Sequence, residues 1–239
     1  MAELSPGLFP ITTTIDERDR AAAVAVLPVG SFEQHGPYLP LSTDTVIAAT
    51  IAGAVAAAYP VLHLPPLTIS CSHEHAAWPG TVSVSARTLH AVVTDIADSL
   101  SRSGVETLVL VNAHGGNYVL SNVVQEATRP MALFPGLADW TAAHTAAGLR
   151  TSLDDDMHAG ELETSLLLHA HPHLVRPGYE SADHVTEREH LLTLGLQAYT
   201  ESGVVGCPSL ATAAKGHVLL DTLVQRFGAV LGVVGAREW

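Results

Sequence analysis

The chain has little cysteine and little positive charge, and each scarcity excludes a class of protein. Only two of its 239 residues are cysteine, Cys71 and Cys207, and they form no CxxC pair. A disulfide framework and a thiolate zinc site are therefore excluded. Lys and Arg number 11 against 24 Asp and Glu, for a formal net charge of −13. Without a basic cluster to neutralise phosphates, we expect no nucleic-acid partner and no binding to anionic membranes.

Long uninterrupted apolar runs are also missing. The apolar stretches are shorter than a membrane span or are broken by Gly and polar residues. The N-terminal segment has no basic start followed by an apolar core, so we expect no secretory signal and a cytoplasmic location. Hydrophobic residues nevertheless make up 47% of the chain. This composition predicts one folded domain over residues 1–239, with a substantial core.

Strand-like and helix-like patterns alternate along the chain. Apolar segments predict strands at 21–29, 61–69, 105–112 and 131–134. Longer periodic segments predict helices at 43–58, 86–103, 118–128, 159–170, 184–201 and 210–234. The alternation predicts an α/β fold, a mainly parallel sheet with helices on both faces. In such sheets ligands bind beyond the carboxyl ends of the strands.

The first candidate site follows the first predicted strand. The segment VGSFEQHGPYLPLSTDT (29–45) contains Glu33, His35 and Asp44. Residues two apart on an extended chain point to the same side, so Glu33 and His35 can face one ion. Asp44 begins the next helix and can return to the same place. The alternative is a polar loop that faces water.

The second candidate, NAHGGN (112–117), follows another predicted strand and leads into a helix. Gly115 and Gly116 let the backbone approach a ligand closely, beside His114 and Asn117. Read alone, the loop also suits an anion at a helix N-terminus, although it has neither a dinucleotide fingerprint nor a P-loop. A purely structural role for His114 is the other alternative.

The third candidate is DDDMHAGELETS (154–165). If a helix starts near Ala159, His158 and Glu161 are three residues apart and share a face. His158 then lies just before the helix, where it can act as a base. The acidic run at 154–156 is expected to be a solvated loop.

Taken together, the motifs resemble one family. In chain order, LPVGSFEQHGPYLPLSTDT, SHEHAAWPGT, VNAHGGN, HAGELETS and ATAAKG are similar to those of the creatininase family of metal-dependent amidohydrolases. The resemblance covers residues 27–216 and implies an α/β fold and two divalent metal ions per chain. Zinc is expected, with manganese and iron as alternatives. It also implies a homo-oligomer, a hexamer.

The resemblance also implies roles for individual residues. Metal ligands are expected at Glu33, His35, Asp44 and His114, with Asp44 bridging the two ions. Creatinine-hydrolysing members have a further glutamate ligand at the position of Gly116, and Glu161 is the expected replacement. His158 matches the proton-transfer histidine, and Glu163 is expected to orient an imidazole or a ligand. The expected substrate contacts are Ser72, Glu74, His75, Gly115, Gly116 and Asn117.

Two departures from the family pattern bear on the substrate. Gly116 replaces the glutamate of the creatinine-hydrolysing members. Those members also cover the substrate with tryptophans near the fourth motif, whereas this chain has only Trp78, Trp140 and Trp239. Strict creatinine hydrolysis is therefore not expected.

The leading hypothesis is a hydrolase of carbon–nitrogen bonds other than peptide bonds, which acts on a small cyclic or linear amide through metal-activated water. Alternatives within the family process a mycofactocin-type peptide or remove a formyl group from a formamidopyrimidine. An alternative of another class is a non-catalytic anion-binding protein. Against it, the carboxylates around the NAHGGN loop would repel an anion. A degenerate member kept for assembly is a further option.

Overall fold

A computed structural model describes residues 8–235, and four strands at its centre form one sheet. The strands are β1 (Val24–Val29), β2 (Leu62–His63), β3 (Thr107–Asn112) and β4 (Met131–Phe134). Their order is β2-β1-β3-β4, and every pair is parallel. The predicted parallel α/β fold is confirmed. The predicted strand at 61–69 shortens to two residues, because Pro65 and Pro66 have no N–H to donate to the sheet.

Eight α-helices occur within residues 8–235. They are α1 (Thr14–Arg20), α2 (Thr43–Ala58), α3 (Ala86–Arg102), α4 (Val119–Glu126), α5 (Leu137–Ala147), α6 (Glu161–Ala170), α7 (Leu191–Leu194) and α8 (Ala213–Gly235). Helix α2 has the predicted bounds, whereas α1 and α5 were not predicted. The predicted helix at 184–201 is wrong. His190 and Gly195 have positive φ angles that confine helix there to the single turn α7, and His184 pairs instead with Gly206.

Alternate residues of the strands build two cores, one on each face of the sheet. Val26 and Val109 point to the face covered by α2, α5, α6 and α8, while Leu27 and Leu108 point to the face covered by α3 and α4. All four side chains are buried. Burial on both faces explains why β1 and β3 read as continuous apolar runs in the sequence.

Helix α8 is the one helix within residues 8–235 that is long and apolar enough to cross a membrane, judged by length and composition alone. Leu219, Leu223 and Phe227 lie on one side of it and are buried in the core. The Phe227 ring packs edge-on against Phe134, with ring centroids 5.2 Å apart. Core packing accounts for the apolar character of this face.

The carboxyl ends of β1 and β3 bring two of the sequence motifs together. Val29 and Asn112 are paired in the sheet, and Ala113 donates a backbone hydrogen bond of 3.1 Å to Val29. The chain then passes Gly30, where a Cβ would overlap the backbone of Thr45 in the first turn of α2. Glycine at this point lets the start of α2 lie against the end of the sheet.

Candidate metal centre and active site

Acidic and imidazole side chains meet at this end of the sheet, and Asp44 lies between two of the histidines. One carboxylate oxygen, Oδ1, is 3.1 Å from Nε2 of His35, and the other, Oδ2, is 3.0 Å from Nδ1 of His114. His114 Nε2 is also 3.2 Å from Oε2 of Glu33. All four residues are buried. Two of the three segments identified in the sequence, 29–45 and 112–117, therefore meet here.

Glu33 carries the most unusual carboxylate of the cluster. Both of its oxygens are buried, and neither has a hydrogen-bond partner among the described residues. Burial raises the pKa of Glu33 to about 8, against the opposing effect of His114 and with a further upward contribution from Asp44. A buried carboxylate without hydrogen bonds is costly unless it is paired or coordinates a cation.

The histidines are oriented as metal ligands usually are. Each uses one ring nitrogen to donate a hydrogen bond to a backbone carbonyl: His35 Nδ1 to Glu33 (3.1 Å), His114 Nε2 to Cys71 (2.7 Å) and His158 Nε2 to Gln34 (2.6 Å). The second nitrogen of each ring then faces the carboxylates. Such hydrogen bonds to carbonyls fix the ring and the tautomer of metal-bound histidines.

In the metal-free protein, protons supply the positive charge that this cluster needs. Burial disfavours charged imidazoles, but Asp44 and the neighbouring Glu163 and Glu33 outweigh it and raise the pKa of His35 to about 9. For His114, Glu33 and Asp44 outweigh burial in the same way and raise the pKa to about 10. A metal ion must displace these protons, so metal affinity should increase with pH.

The donor set fits divalent cations by distance as well as by chemistry. Two donors held about 2.1 Å from one ion lie about 3.0–3.4 Å apart, and the nitrogen–oxygen separations at Asp44 are 3.0 and 3.1 Å. Donor atoms lie within 4.8 Å of one another in three groups: Glu33, Asp44 and His114; His35, Asp44 and Glu163; and Glu33, His35 and His158. Asp44 is common to the first two groups.

Comparison with protein families decides what this centre belongs to. The model of the creatininase (creatinine amidohydrolase) family matches residues 11–231. The chain belongs to the creatininase family. It is accordingly a hydrolase of amide C–N bonds, and the family and the reaction class predicted from the sequence are confirmed.

Named relatives of this creatininase-family chain differ in what they act on. It is 33% identical over 227 residues to the mycofactocin precursor peptide peptidase of Mycolicibacterium smegmatis, and the aligned region covers 90% of this chain and 86% of that protein. It is 28% identical over 229 residues to the creatinine amidohydrolase of Pseudomonas putida, with 84% and 86% covered. A crystal structure of creatininase superposes with a TM-score of 0.81 at 25% identity, covering 98% of this chain and 100% of that one.

In this creatininase-family chain Glu161 lies apart from the donor groups. One of its carboxylate oxygens pairs with the ammonium group of Lys215. The other accepts hydrogen bonds from the backbone of Arg150 and Thr151, both 2.9 Å, and from the Thr151 hydroxyl, 3.0 Å. The same loop carries Asp156, whose carboxylate caps the start of α6. Glu161 is thus engaged in holding the 149–158 loop to the helix, and it belongs to none of the groups of mutually close donor atoms among the described residues.

Glu163, unlike Glu161, lies in one of the donor groups, with His35 and Asp44. Its Oε1 is 3.9 Å from Nε2 of His35, while its Oε2 accepts a 2.6 Å hydrogen bond from the backbone of Ala159. Burial raises the pKa of Glu163 to about 7, against the effect of His35. The spacing argument failed because the helix begins at Glu161 and Ala159 has a φ of +52°. His158 therefore does not share a helical face with Glu161.

The residues expected to contact substrate divide into two sets. Ser72, Glu74, His75 and Gly116 border the donor cluster, whereas Gly115 is exposed. The hydroxyl of Ser72 is buried and is without a hydrogen-bond partner among the described residues. Asn117 instead holds the scaffold together. Its side chain accepts from the backbone of Cys71 (3.1 Å) and donates to Asn112 (2.9 Å). We therefore leave Asn117 out of the proposed substrate contacts.

Sequence reasoning missed the role of Gln34, which orients His75. The Gln34 amide oxygen accepts from the backbone of Gly36 (2.9 Å), so its NH₂ group donates to Nδ1 of His75 (2.9 Å) and to Gly203 (3.1 Å). His75 then carries its proton on Nε2, which is 3.3 Å from Oε1 of Glu33. The one signal in the sequence for this role was the position of Gln34 between two candidate ligands, Glu33 and His35.

Proposed function

We propose that this protein is a two-metal amidohydrolase whose substrate is a peptide amide, which favours the peptide-processing alternative over the leading expectation of a bond other than a peptide bond. The observation that carries the proposal is the buried donor cluster centred on Asp44, whose two oxygens face two histidines. In this proposal Glu33, Asp44 and His114 hold one ion, and His35, Asp44 and Glu163 hold the other. When bound, two divalent ions supply a hydroxide nucleophile near neutral pH and polarise the amide carbonyl.

His158 is the proposed proton carrier of the reaction. Burial, together with His35 and His75, holds the pKa of His158 well below its usual range, so the imidazole is neutral. Its Nε2 is committed to the Gln34 carbonyl. Nδ1 is left to accept a proton and to pass it to the departing amine, a contribution typically of about 10²–10⁴-fold. His158 also belongs to the donor group of Glu33 and His35. A His158 variant that retains its metal would show that His158 carries the proton and is not a ligand.

Relatives and the surroundings of the site both support a peptide as substrate. Four relatives at 33–35% identity are mycofactocin precursor peptide peptidases. Among the tryptophans, Trp140 packs against the core and Trp78 lies beside His75, while Trp239 is outside the described residues. Gly115 is exposed, and a side chain there would meet open space. An extended chain has room to enter at this point.

Metal identity, assembly and location complete the proposal. Solved creatininases include forms named Mn and Zn-Zn type, and we propose zinc or manganese for this chain because its oxygen and nitrogen donors accept both. We also propose that residues 1–239 form one domain, that the chain assembles as a homo-oligomer, a hexamer, and that it is cytoplasmic. Light scattering coupled to gel filtration tests the assembly.

The substrate is tested with metal-loaded protein and a panel of amides. We expect short peptides to be cleaved with a kcat/KM at least about a hundredfold above that for creatinine or a formamidopyrimidine, because a site selects by the groups that its wall can pair. Products are identified by mass spectrometry, with chelator-treated protein as control. Faster turnover of creatinine than of every peptide would overturn the proposal that the substrate is a peptide. Stoichiometric metal without hydrolysis of any amide would instead indicate a non-catalytic protein.

A further inference from the structure

The carboxylate of Glu74 lies at the edge of the metal centre, and within residues 8–235 its one ionic contact is the ring of His114. Its side chain is only 8% exposed, and its Oε1 is 4.0 Å from Nε2 of His114. No hydrogen bond reaches this carboxylate from any residue between 8 and 235. With a metal ion on Nδ1 the His114 ring would be neutral, and this nearly buried carboxylate would then have no cation to pair with in residues 8–235, which is costly. The side chain thus points to a ligand that binds there.

The absence of a side chain at Gly116 gives Glu74 its place. A Cβ on residue 116 would overlap Oε1 of Glu74 and would lie 2.5 Å from Nε2 of His114. Gly116 is itself buried, so the clash could not be relieved into solvent. The two positions are therefore coupled: glycine at 116 leaves the space that the Glu74 carboxylate fills, directly beside His114.

The proposed metal ions do not require Glu74. Each of the two proposed ligand sets already has three donors, and Glu74 belongs to none of the groups of mutually close donor atoms. Two divalent ions carry four positive charges. The carboxylates of Glu33, Asp44 and Glu163, together with one hydroxide, balance them. Glu74 adds a negative charge beyond this balance, on the side of the centre bordered by Gly115 and Gly116.

We propose that Glu74 binds an ammonium group of the substrate next to the scissile amide, an inference that rests on the proposed amidohydrolase function. A charged N–H···O contact is about 2.8 Å long, and one residue of extended chain spans at most about 3.6 Å. Because Glu74 lies 4.0 Å from the ring of a proposed metal ligand, an ammonium group bound to it would lie close to the amide that is hydrolysed. The substrate class is thereby a cationic peptide amide.

The experiment compares two peptides that differ only in charge. One has a free N-terminal ammonium group adjoining the amide to be cleaved, and the other is its N-acetylated form. For the wild-type protein we expect kcat/KM to favour the ammonium peptide by about ten- to a hundredfold, the usual range for a hydrogen bond to a charged group. The preference should fall to about onefold in Glu74→Gln, which keeps the shape and removes the charge.

Glu189→Gln is the matched control, because Glu189 is fully on the surface and outside the site. It should keep the preference of the wild type. Metal content is measured in each variant by mass spectrometry of the bound ions, and Glu74→Gln should retain its full complement. Calorimetric titration of the metal-loaded proteins with both peptides, under conditions in which neither peptide is cleaved, compares the binding affinities without turnover.

The outcomes separate this inference from the proposed function. If wild-type protein cleaves both peptides equally, or if Glu74→Gln keeps the preference, the role of Glu74 is overturned while the hydrolase stands. Loss of metal from Glu74→Gln also overturns it, since Glu74 would then be a ligand. If no peptide is cleaved, the proposed function fails, and calorimetry alone decides whether Glu74 recognises the ammonium group.

Discussion

Replacing Asp44 with Asn should remove both metal ions and lower amide hydrolysis by at least about a thousandfold. Each oxygen of Asp44 faces a different histidine, at 3.1 Å and 3.0 Å. An amide in its place offers one neutral oxygen and an NH₂ group that cannot bind a cation. Metal ions contribute several kcal/mol to the transition state, and each 1.36 kcal/mol is a factor of ten in rate.

The measurement combines metal content by plasma mass spectrometry with kcat/KM for a cleaved peptide. Asp95→Asn is the control, because Asp95 is exposed on α3. The substitution makes the same chemical change far from the centre. Loss of Asp44 should also lower the pKa of His35 and of His114, since the carboxylate that favours their charged forms is gone. An Asp44→Asn protein with two bound ions and undiminished activity would contradict the proposed ligand set.

Glu163→Gln and Glu161→Gln should impair different properties, metal binding in the first and stability in the second, although both residues lie on the first turn of α6. Glu163→Gln should lose one of the two ions and lower hydrolysis by about a hundred- to a thousandfold, because its Oε1 faces His35 in the second donor group. Glu161→Gln should keep both ions. It should instead lower the free energy of unfolding by about 3 kcal/mol, since it leaves the Lys215 ammonium group without its buried partner.

These two variants act as controls for each other. Metal content and urea denaturation of both proteins separate a ligand from a structural carboxylate. Normal metal content in Glu163→Gln, combined with loss of an ion from Glu161→Gln, would restore the assignment that the sequence spacing favoured and would contradict the geometry of the centre.

Local rules of sequence predicted the elements that place the site. Helix α2 was predicted with its observed bounds, because Ser42 or Thr43 offers an N-cap and Asp44 lies in the first turn of a mostly apolar segment. The buried strands β1 and β3 were predicted because burial on both faces leaves no polar alternation. From these elements it followed that Glu33, His35, Asp44 and His114 meet at the carboxyl ends of neighbouring strands.

Tertiary contacts decided what the sequence could not. The choice between Glu161 and Glu163 depends on Ala159, whose left-handed backbone delays the start of α6 and turns Glu161 toward Lys215, 54 residues later in the chain. The segment 184–201 failed for a related reason. Its polar pattern resembles a helix, yet His184 pairs with Gly206, a contact that no local periodicity encodes.

The central claim, that the chain holds a pair of ions around Asp44, is tested most directly by diffraction from crystals grown with zinc or manganese. Anomalous difference maps collected at the metal absorption edge locate the ions independently of the protein atoms. We predict two peaks about 3.5–4 Å apart, both bonded to Asp44, with Glu33 and His114 on one and His35 and Glu163 on the other. A fully loaded protein with no ion at Asp44 would contradict the account.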